Sequence, residues 1–359
     1  MRMTKNTILI TGGAGFIGGN FVRHLSAERN VRLIVFDALT YAGNIASIAD
    51  VIDGEKVIFV HGDICDTNAV QDIFDRHDID QVVHFAAESH VDRSILGPRA
   101  FIETNVTGTL NLLMAARAKW QGGEAGKCFL HVSTDEVYGA LSANDPAFDE
   151  QTAYAPNSPY SASKAASDHL VRAWRHTYGF PAIITNCSNN YGPGQFPEKL
   201  IPLMILNAVE EKPLPVYGDG MQVRDWLHVQ DHCEALRLVL EKGVPGETYC
   251  IGGANEQPNL NIVHLVCDLV DARLGRTSNA SRALIRHVTD RPGHDRRYAI
   301  DITKINRKLG WKPRFAFDAA LGDTVDWYLS NGAWIEAIRS GEYLRFYDAQ
   351  YSRRLEGEK

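Results

Sequence analysis

No apolar run in this sequence approaches the roughly 18 residues a membrane span needs, and the apolar stretch near the N-terminus is cut by glycines after Thr11. That argues against a spanning helix and a signal peptide, so the expected compartment is the cytoplasm. Cysteine is sparse, and the six residues Cys65, Cys128, Cys187, Cys233, Cys250 and Cys267 form no C-x-x-C pair. Such scatter suits reduced core thiols and argues against a disulfide framework or a thiolate metal site. An excess of positive charge is missing too: 37 Lys plus Arg against 44 Asp plus Glu gives a net charge of −7. Neither a nucleic acid nor an anionic membrane is an expected partner of such a surface. Internal repeats, low-complexity segments and linkers are absent as well.

What remains is an ordinary globular composition, 45% apolar and 23% charged over 359 residues, long enough for one large domain or two unequal ones. Short β-branched runs at 7–10, 33–36, 57–60, 81–85, 129–132 and 182–185 alternate with helical patterns at 17–27, 69–76, 99–119 and 162–178. Continuous apolar strands spaced by helices predict a doubly wound α/β fold, a parallel sheet covered on both faces. After Asn189 the chain is punctuated by Gly192, Pro193, Gly194, Pro197, Pro202, Pro213 and Pro215. Its elements become short, with helices at 200–208, 233–240 and 260–274 and strands at 214–217 and 247–251. The predicted organisation is a Rossmann domain over 1–188, with 222–250 returning to it, and a smaller mixed α/β substrate domain over 189–359. Residues 353–359 carry charge without apolar period and are expected to fray.

The first strand runs into Gly12, Gly15 and Gly18, followed by a helix. Glycine is needed where a chain turns sharply, lets a pyrophosphate approach its backbone and seats a helix against a strand. The helix N-terminus then offers N–H groups to phosphate. The second strand ends in Asp37, about 20 residues on, where an acid accepts from ribose hydroxyls and repels a 2′-phosphate. NAD is therefore expected over NADP. Asp63 ends the third strand, as an adenine contact or a turn cap. Phe85, Ala86 and Ala87 end the fourth with small residues that suit a close cofactor.

Tyr160 and Lys164 form the chain's single Tyr-x-x-x-Lys. Four residues apart on a helix they share a face, and the ammonium is expected to lower the phenol toward the range of a base. The fifth strand ends in Ser133, Thr134, Asp135 and Glu136, at the edge where ligands bind in open α/β sheets. Two adjacent carboxyls there are costly without work to do, and they suit a general acid beside a general base. His228 and His232 stand four apart, but no third ligand is evident, and no metal is expected.

Together these features resemble the extended short-chain dehydrogenase/reductases. Six blocks in order, at 37–44, 86–94, 133–139, 188–193, 224–229 and 290–295, resemble more narrowly the dTDP-glucose 4,6-dehydratase family. The resemblance implies that Tyr160 takes the sugar O4 proton as C4 gives hydride to NAD, with Thr134 hydrogen-bonded to O4. Glu136 then removes the C5 proton while Asp135 protonates the departing O6, and hydride returns to C6. By the same resemblance Phe16, Ile17, Leu39, Thr40, Gly43, Ile64, Ser89, Thr104 and Asn190 complete the cofactor site, and Lys164 binds the nicotinamide ribose. Ser89, His90, Asp92, Thr134 and Asn189 would meet the substrate. Lys199, Leu200, Pro215, Val216, Tyr217, Arg224, Asn259, Arg291 and His294 would hold its nucleotide diphosphate. Lys199, Arg224, Arg291, Arg296 and Arg297 read as a local cluster of cations suited to a pyrophosphate. The family also implies a homodimer through the helices at 99–119 and 162–178. The alternatives are another nucleotide-sugar 4,6-dehydratase, a 4-epimerase, or a non-catalytic NAD-binding sensor.

Overall fold

The computed structural model describes residues 6–339 together with Arg345, so the expected fraying of 353–359 lies outside the described residues. The chain begins with strand β1 (Asn6–Thr11), helix α1 (Phe16–Ser26), β2 (Val31–Asp37), β3 (Val57–His61), α2 (Thr67–Arg76) and β4 (Gln81–His84). Short helices α3 (Val91–Leu96) and α4 (Pro98–Phe101) lead into α5 (Thr109–Trp120), then β5 (Cys128–Thr134), α6 (Pro159–Tyr178) and β6 (Ala182–Cys187). The second half adds β7 (Asn189–Tyr191), α7 (Leu200–Val209), β8 (Leu214–Tyr217), β9 (Val223–His228), α8 (Val229–Lys242) and β10 (Thr248–Ile251). It continues with β11 (Glu256–Pro258), α9 (Asn259–Leu274), β12 (Ile285–Val288), α10 (Thr303–Leu309), α11 (Phe317–Ser330) and α12 (Gly332–Ile338).

Seven strands form one parallel sheet in the order β10-β6-β5-β4-β1-β2-β3. The Val, Ile and Leu runs make this the buried layer, and β5 is buried along its whole length. One face packs on α1 and α8 through Phe21, Val22, Leu236 and Val239, and the other on α2 and α5 through Phe74, Leu112 and Trp120. The strand order reverses between β1 and β4, which opens a crevice at the carboxyl ends of the strands. A mixed sheet β11-β9-β7, a parallel pair β12-β8 and a second core of α7, α9 and α11 stand over that crevice.

The single helix expected over 99–119 is interrupted. Between α4 and α5, residues Ile102–Gly108 form a π-helical segment. Asn105 gives a reason, because its side chain accepts from Glu88 N at 2.9 Å and donates to Glu88 O at 3.0 Å and Ser163 Oγ at 2.8 Å. A widened turn lets this buried amide bridge the loop after β4 and the start of α6. Helix α6 itself is well specified: Ser158 and Ser161 form a capping box, Pro159 occupies the first turn, and Gly179 closes the helix at φ +69°.

Candidate active site

The glycine turn is set by close approach. A Cβ on Gly12 (φ +69°) would lie 2.6 Å from Ala86 N, and one on Gly18 would lie 2.3 Å from Gly12 O. Gly15 caps α1 without any side-chain hydrogen bond, leaving the first N–H groups of the helix open to an anion. Asp37, buried at the end of β2, accepts from Ala14 N at 2.9 Å and Leu39 N at 2.8 Å. These residues line a cavity of about 310 Å³ together with Phe16, Ile17, Thr40, Gly43, Asp63, Ile64, Phe85, Ala86, Ala87, Ser89 and Thr104. Besides lining the cavity, Asp63 caps the turn after β3, its carboxylate accepting from Cys65 N at 2.8 Å. Leu39 does not line the cavity. It contributes its N–H to Asp37 from a left-handed backbone at φ +50°. Gly12→Ala should cost about 1–3 kcal/mol from its backbone conformation alone and push the turn off β4. Thermal unfolding with and without NAD should show both a lower midpoint and a smaller NAD-dependent rise.

At the far end of the same cavity stand Thr134, Asp135, Glu136, Tyr160 and Lys164. The Thr134 hydroxyl accepts from Glu136 N at 3.3 Å, starting the tight turn Asp135–Tyr138, and donates to Asp135 Oδ1 at 3.3 Å. Burial pushes the Asp135 carboxyl well above the ordinary range, reinforced by the charges of Glu136 and Asp225 and opposed by Arg224. Glu136 is raised by burial too, but Arg291, Arg224 and Lys199 act in the opposite sense. Both acids are thus favoured in the protonated form, Asp135 more strongly, because the cations offset part of the burial at Glu136. The expectation that Lys164 lowers the Tyr160 phenol is corrected. Burial first, then the Glu136 carboxylate, raise Tyr160, while a hydrogen bond with the Thr134 side chain opposes them. Lys164 instead sends its ammonium to Val132 O at 2.9 Å, because its position one turn along α6 faces the backbone of β5.

A second cavity of about 170 Å³ adjoins the first and shares Ser89, Glu136, Asn189, Asn190, Gln195, Glu198 and Lys199 with it. Its further walls include His90, Asp92, Leu200, Pro215, Val216, Tyr217, Arg224, Asn259, Arg291 and His294. Lys199 Nζ donates to Ser89 O at 2.8 Å, and Tyr217 OH to Asp92 Oδ2 at 3.0 Å. Burial holds His294 down to about 4, so the ring is neutral near pH 7. Of the five cations expected to meet a pyrophosphate, Lys199, Arg224 and Arg291 line this cavity. Arg296 and Arg297 do not: they turn away to Asp219 and Glu256, at 2.9 Å and 2.6 Å.

Glu198, Gln195, Trp226 and Tyr298 escaped the sequence reading. Glu198 follows Pro197 beside the expected Lys199, so its sequence neighbourhood was the available signal. It accepts from Arg93 Nε at 3.1 Å, and the Arg93 guanidinium lies 3.7 Å over the Tyr41 ring. The loop between β2 and β3 is thereby tied to the chain before α7. His228 and His232 serve structure: His228 stacks on Phe315 with ring centroids 4.1 Å apart, and His232 Nδ1 bonds Asn190 Oδ1 at 2.9 Å.

Buried polar atoms around the two cavities that have no hydrogen-bond partner among the described residues include Asp135 Oδ2, Asn189 Oδ1, Gln195 Oε1, Trp226 Nε1, Asn259 Oδ1 and Arg291 Nε. Unpaired buried donors and acceptors are costly, and their gathering here marks a site shaped for a polar ligand. Three features fit a dinucleotide: the bare glycine turn, the open helix N-terminus and the small residues Ala86 and Ala87 after β4.

Comparison with known proteins agrees. A family model described as GDP-mannose 4,6 dehydratase matches residues 9–324. The chain is 55% identical over 359 residues to dTDP-glucose 4,6-dehydratase 1 of Escherichia coli K12, covering 97% of this chain and 99% of that protein. Among solved structures it is similar to the Bacillus anthracis dTDP-glucose 4,6-dehydratase in complex with NAD, at 44% identity and TM-score 0.82, covering 93% of this chain and 99% of that one. It is also similar to a double mutant of the Streptomyces venezuelae enzyme with NAD bound, at 46% identity and TM-score 0.85, covering 92% and 99%. On its blocks, its fold and these matches, the chain belongs to the dTDP-glucose 4,6-dehydratase family.

Proposed function

We propose that this protein is a hydro-lyase converting dTDP-D-glucose to dTDP-4-keto-6-deoxy-D-glucose in deoxysugar biosynthesis, with NAD as its cofactor. The observation that carries the reading is the pair of adjacent carboxyls, Asp135 and Glu136, held in unlike electrostatic surroundings beside Tyr160. A 4-epimerase has no elimination step and would leave both acids idle. A non-catalytic NAD sensor would need neither them nor Tyr160.

Gly12, Gly15 and Gly18 take the pyrophosphate of the cofactor at the start of α1, Asp37 takes its adenosine ribose, and Lys164 the nicotinamide ribose. Bound NAD supplies a positively charged ring that accepts hydride from C4 and later returns it to C6. Tyr160 takes the O4 proton as the phenolate, a form that burial disfavours and that the positive charge of the bound cofactor would favour, with Thr134 hydrogen-bonded to the same oxygen. The C4 ketone acidifies C5, and Glu136, the acid with three cations acting on it, removes that proton. Asp135, kept protonated by burial and by Glu136, gives its proton to O6 as water leaves. Glu136 then reprotonates C5. Lys199, Arg224 and Arg291 hold the diphosphate and keep the sugar over the acids throughout.

We also divide the chain into a Rossmann domain over 1–188, with 222–250 returning to it, and a substrate domain over 189–359. The edge position of β10 and the packing of α8 on α1 support the return. A homodimer through the 99–119 and 162–178 helices is part of the same reading. Ile102, Met114 and Tyr178, large apolar side chains on these helices, are 49%, 56% and 47% exposed, which supports it. Six free cysteines support a reducing compartment, the cytoplasm.

Incubation with dTDP-glucose in deuterated water, read by mass and NMR, tests the function. Loss of water with deuterium at C5 is expected, and recovery of unchanged sugar would refute it. Asp37 gives a separate prediction. A carboxylate against a 2′-phosphate costs several kcal/mol, so NADP should bind about 10²-fold more weakly than NAD. Competitive binding of the two checks this, and equal affinities would remove Asp37 from the ribose.

A further inference from the structure

One turn beyond Lys164 on α6, Asp168 is 1% exposed beneath the catalytic strand. A buried carboxylate is costly unless donors surround it. Here Ser133 Oγ and Tyr154 OH each donate to Oδ2 at 2.9 Å, and Asn186 Nδ2 donates to the same oxygen at 3.2 Å. His131 Nε2 lies 3.1 Å from Oδ1.

The partners share one feature: they hold the turn that carries the acids. Ser133 immediately precedes Thr134. Asn186 Nδ2 also reaches Thr134 O at 3.1 Å, while its Oδ1 accepts from Tyr138 OH at 3.3 Å. Both ends of the turn Asp135–Tyr138 are therefore tied, directly or through Asn186, to one carboxylate behind the sheet. Four residues apart on α6, Lys164 and Asp168 share a helix face, and the Lys164 ammonium is penalised by burial and favoured by the Asp168 charge. The other titratable groups acting with Lys164 are His84 on β4 and His131 on β5, both held neutral by burial, and the Cys187 thiol at the end of β6, pushed up to about 12. None of these supplies a negative charge near neutral pH.

We propose that Asp168 is a positioning residue for the dehydration: it braces the turn bearing Thr134, Asp135 and Glu136 from behind and supplies a negative charge one helical turn from Lys164. This rests on the reaction proposed above. Misplacement of the acids by a fraction of an ångström slows chemistry without loosening substrate, because the nucleotide is held by residues elsewhere.

The test is Asp168→Asn, which keeps the size and removes the charge. Its kcat should fall about 10²-fold, with KM for dTDP-glucose little changed. Without its buried counter-charge Lys164 gives up its proton at lower pH. The high-pH limb of the single-turnover C4 oxidation, a step that precedes use of Asp135, should therefore move to lower pH. A merely structural role would lower the yield or the unfolding midpoint and leave that limb in place. Tyr154→Phe and Ser133→Ala each remove one donor and keep the charge, so they should lower kcat several-fold with the limb unmoved. Wild-type kcat, or an unmoved limb, in folded Asp168→Asn overturns the proposal. If that variant does not fold, wild-type kcat in both donor variants overturns it. Wild-type enzyme run in parallel separates the two readings, since its own failure to turn over dTDP-glucose would refute the function instead.

Discussion

Tyr160→Phe should lower turnover by at least the ~10²–10⁴ that a positioned proton acceptor contributes, and the loss should already appear at C4 oxidation. The substitution removes one oxygen from a residue 8% exposed. The ring should keep its place, because it packs with Val91 and Phe101 and meets Phe101 edge-on at a centroid distance of 6.3 Å. A loss of activity can therefore be assigned to the hydroxyl. Without it, nothing in Thr134 or Lys164 replaces the acceptor: Thr134 is a weak base, and the Lys164 ammonium has no lone pair with which to take a proton. Single-turnover analysis of the sugar should find no 4-keto species. A variant that oxidises C4 at close to the wild-type rate would mean that another group takes the O4 proton.

The same residue shows where sequence reasoning succeeds and where it stops. The spacing of Tyr160 and Lys164, the glycines of the first turn and the adjacency of Asp135 and Glu136 are local facts. A strand or helix converts each directly into a shared face or a shared edge. For that reason the parallel sheet and the position of the acids at the end of β5 were legible. The direction of the Lys164 ammonium was not, because it depends on a carbonyl brought in by another strand. Arg296 and Arg297 looked like partners of Arg291 in sequence, yet exposed acids on distant segments turn them outward. Strand β9 escaped notice because Arg224 and Asp225 interrupt its apolar run. Both are buried, 5% and 1% exposed, and only the folded chain supplies their partners: Asp295 O for Arg224, and the N–H groups of Gly253 and Asn255 for Asp225. The π-helical segment around Asn105 and the convergence on Asp168 are of the same kind. Each is a polar side chain whose place is fixed by residues far away in the sequence.

Glu136→Gln should separate the oxidation from the elimination. The variant keeps the shape of the side chain and removes its ability to take a proton, so product formation should fall by at least ~10²–10⁴. Oxidation at C4 should persist, and C5 should no longer exchange with solvent. Asp135→Asn should give the complementary result. Its Glu136 remains a base, so C5 exchange should continue while loss of O6 is slowed. The electrostatics add a further asymmetry. The Glu136 charge is second only to burial in raising Asp135, whereas burial, Arg291, Arg224 and Lys199 are the leading influences on Glu136. Removing the Glu136 charge therefore lowers the Asp135 pKa, and the acid should lose its proton at a lower pH than in the wild type. Glu136→Gln thus depletes the protonated form of Asp135 as well as deleting the base, and it should be the more damaging of the two variants above neutral pH. Deuterium incorporation at C5, followed with the yield of 6-deoxy sugar across pH, distinguishes the two variants. Continued C5 exchange in Glu136→Gln would move the base to another residue. Identical behaviour of the two variants would mean that the carboxyls act as one unit, with no division into acid and base.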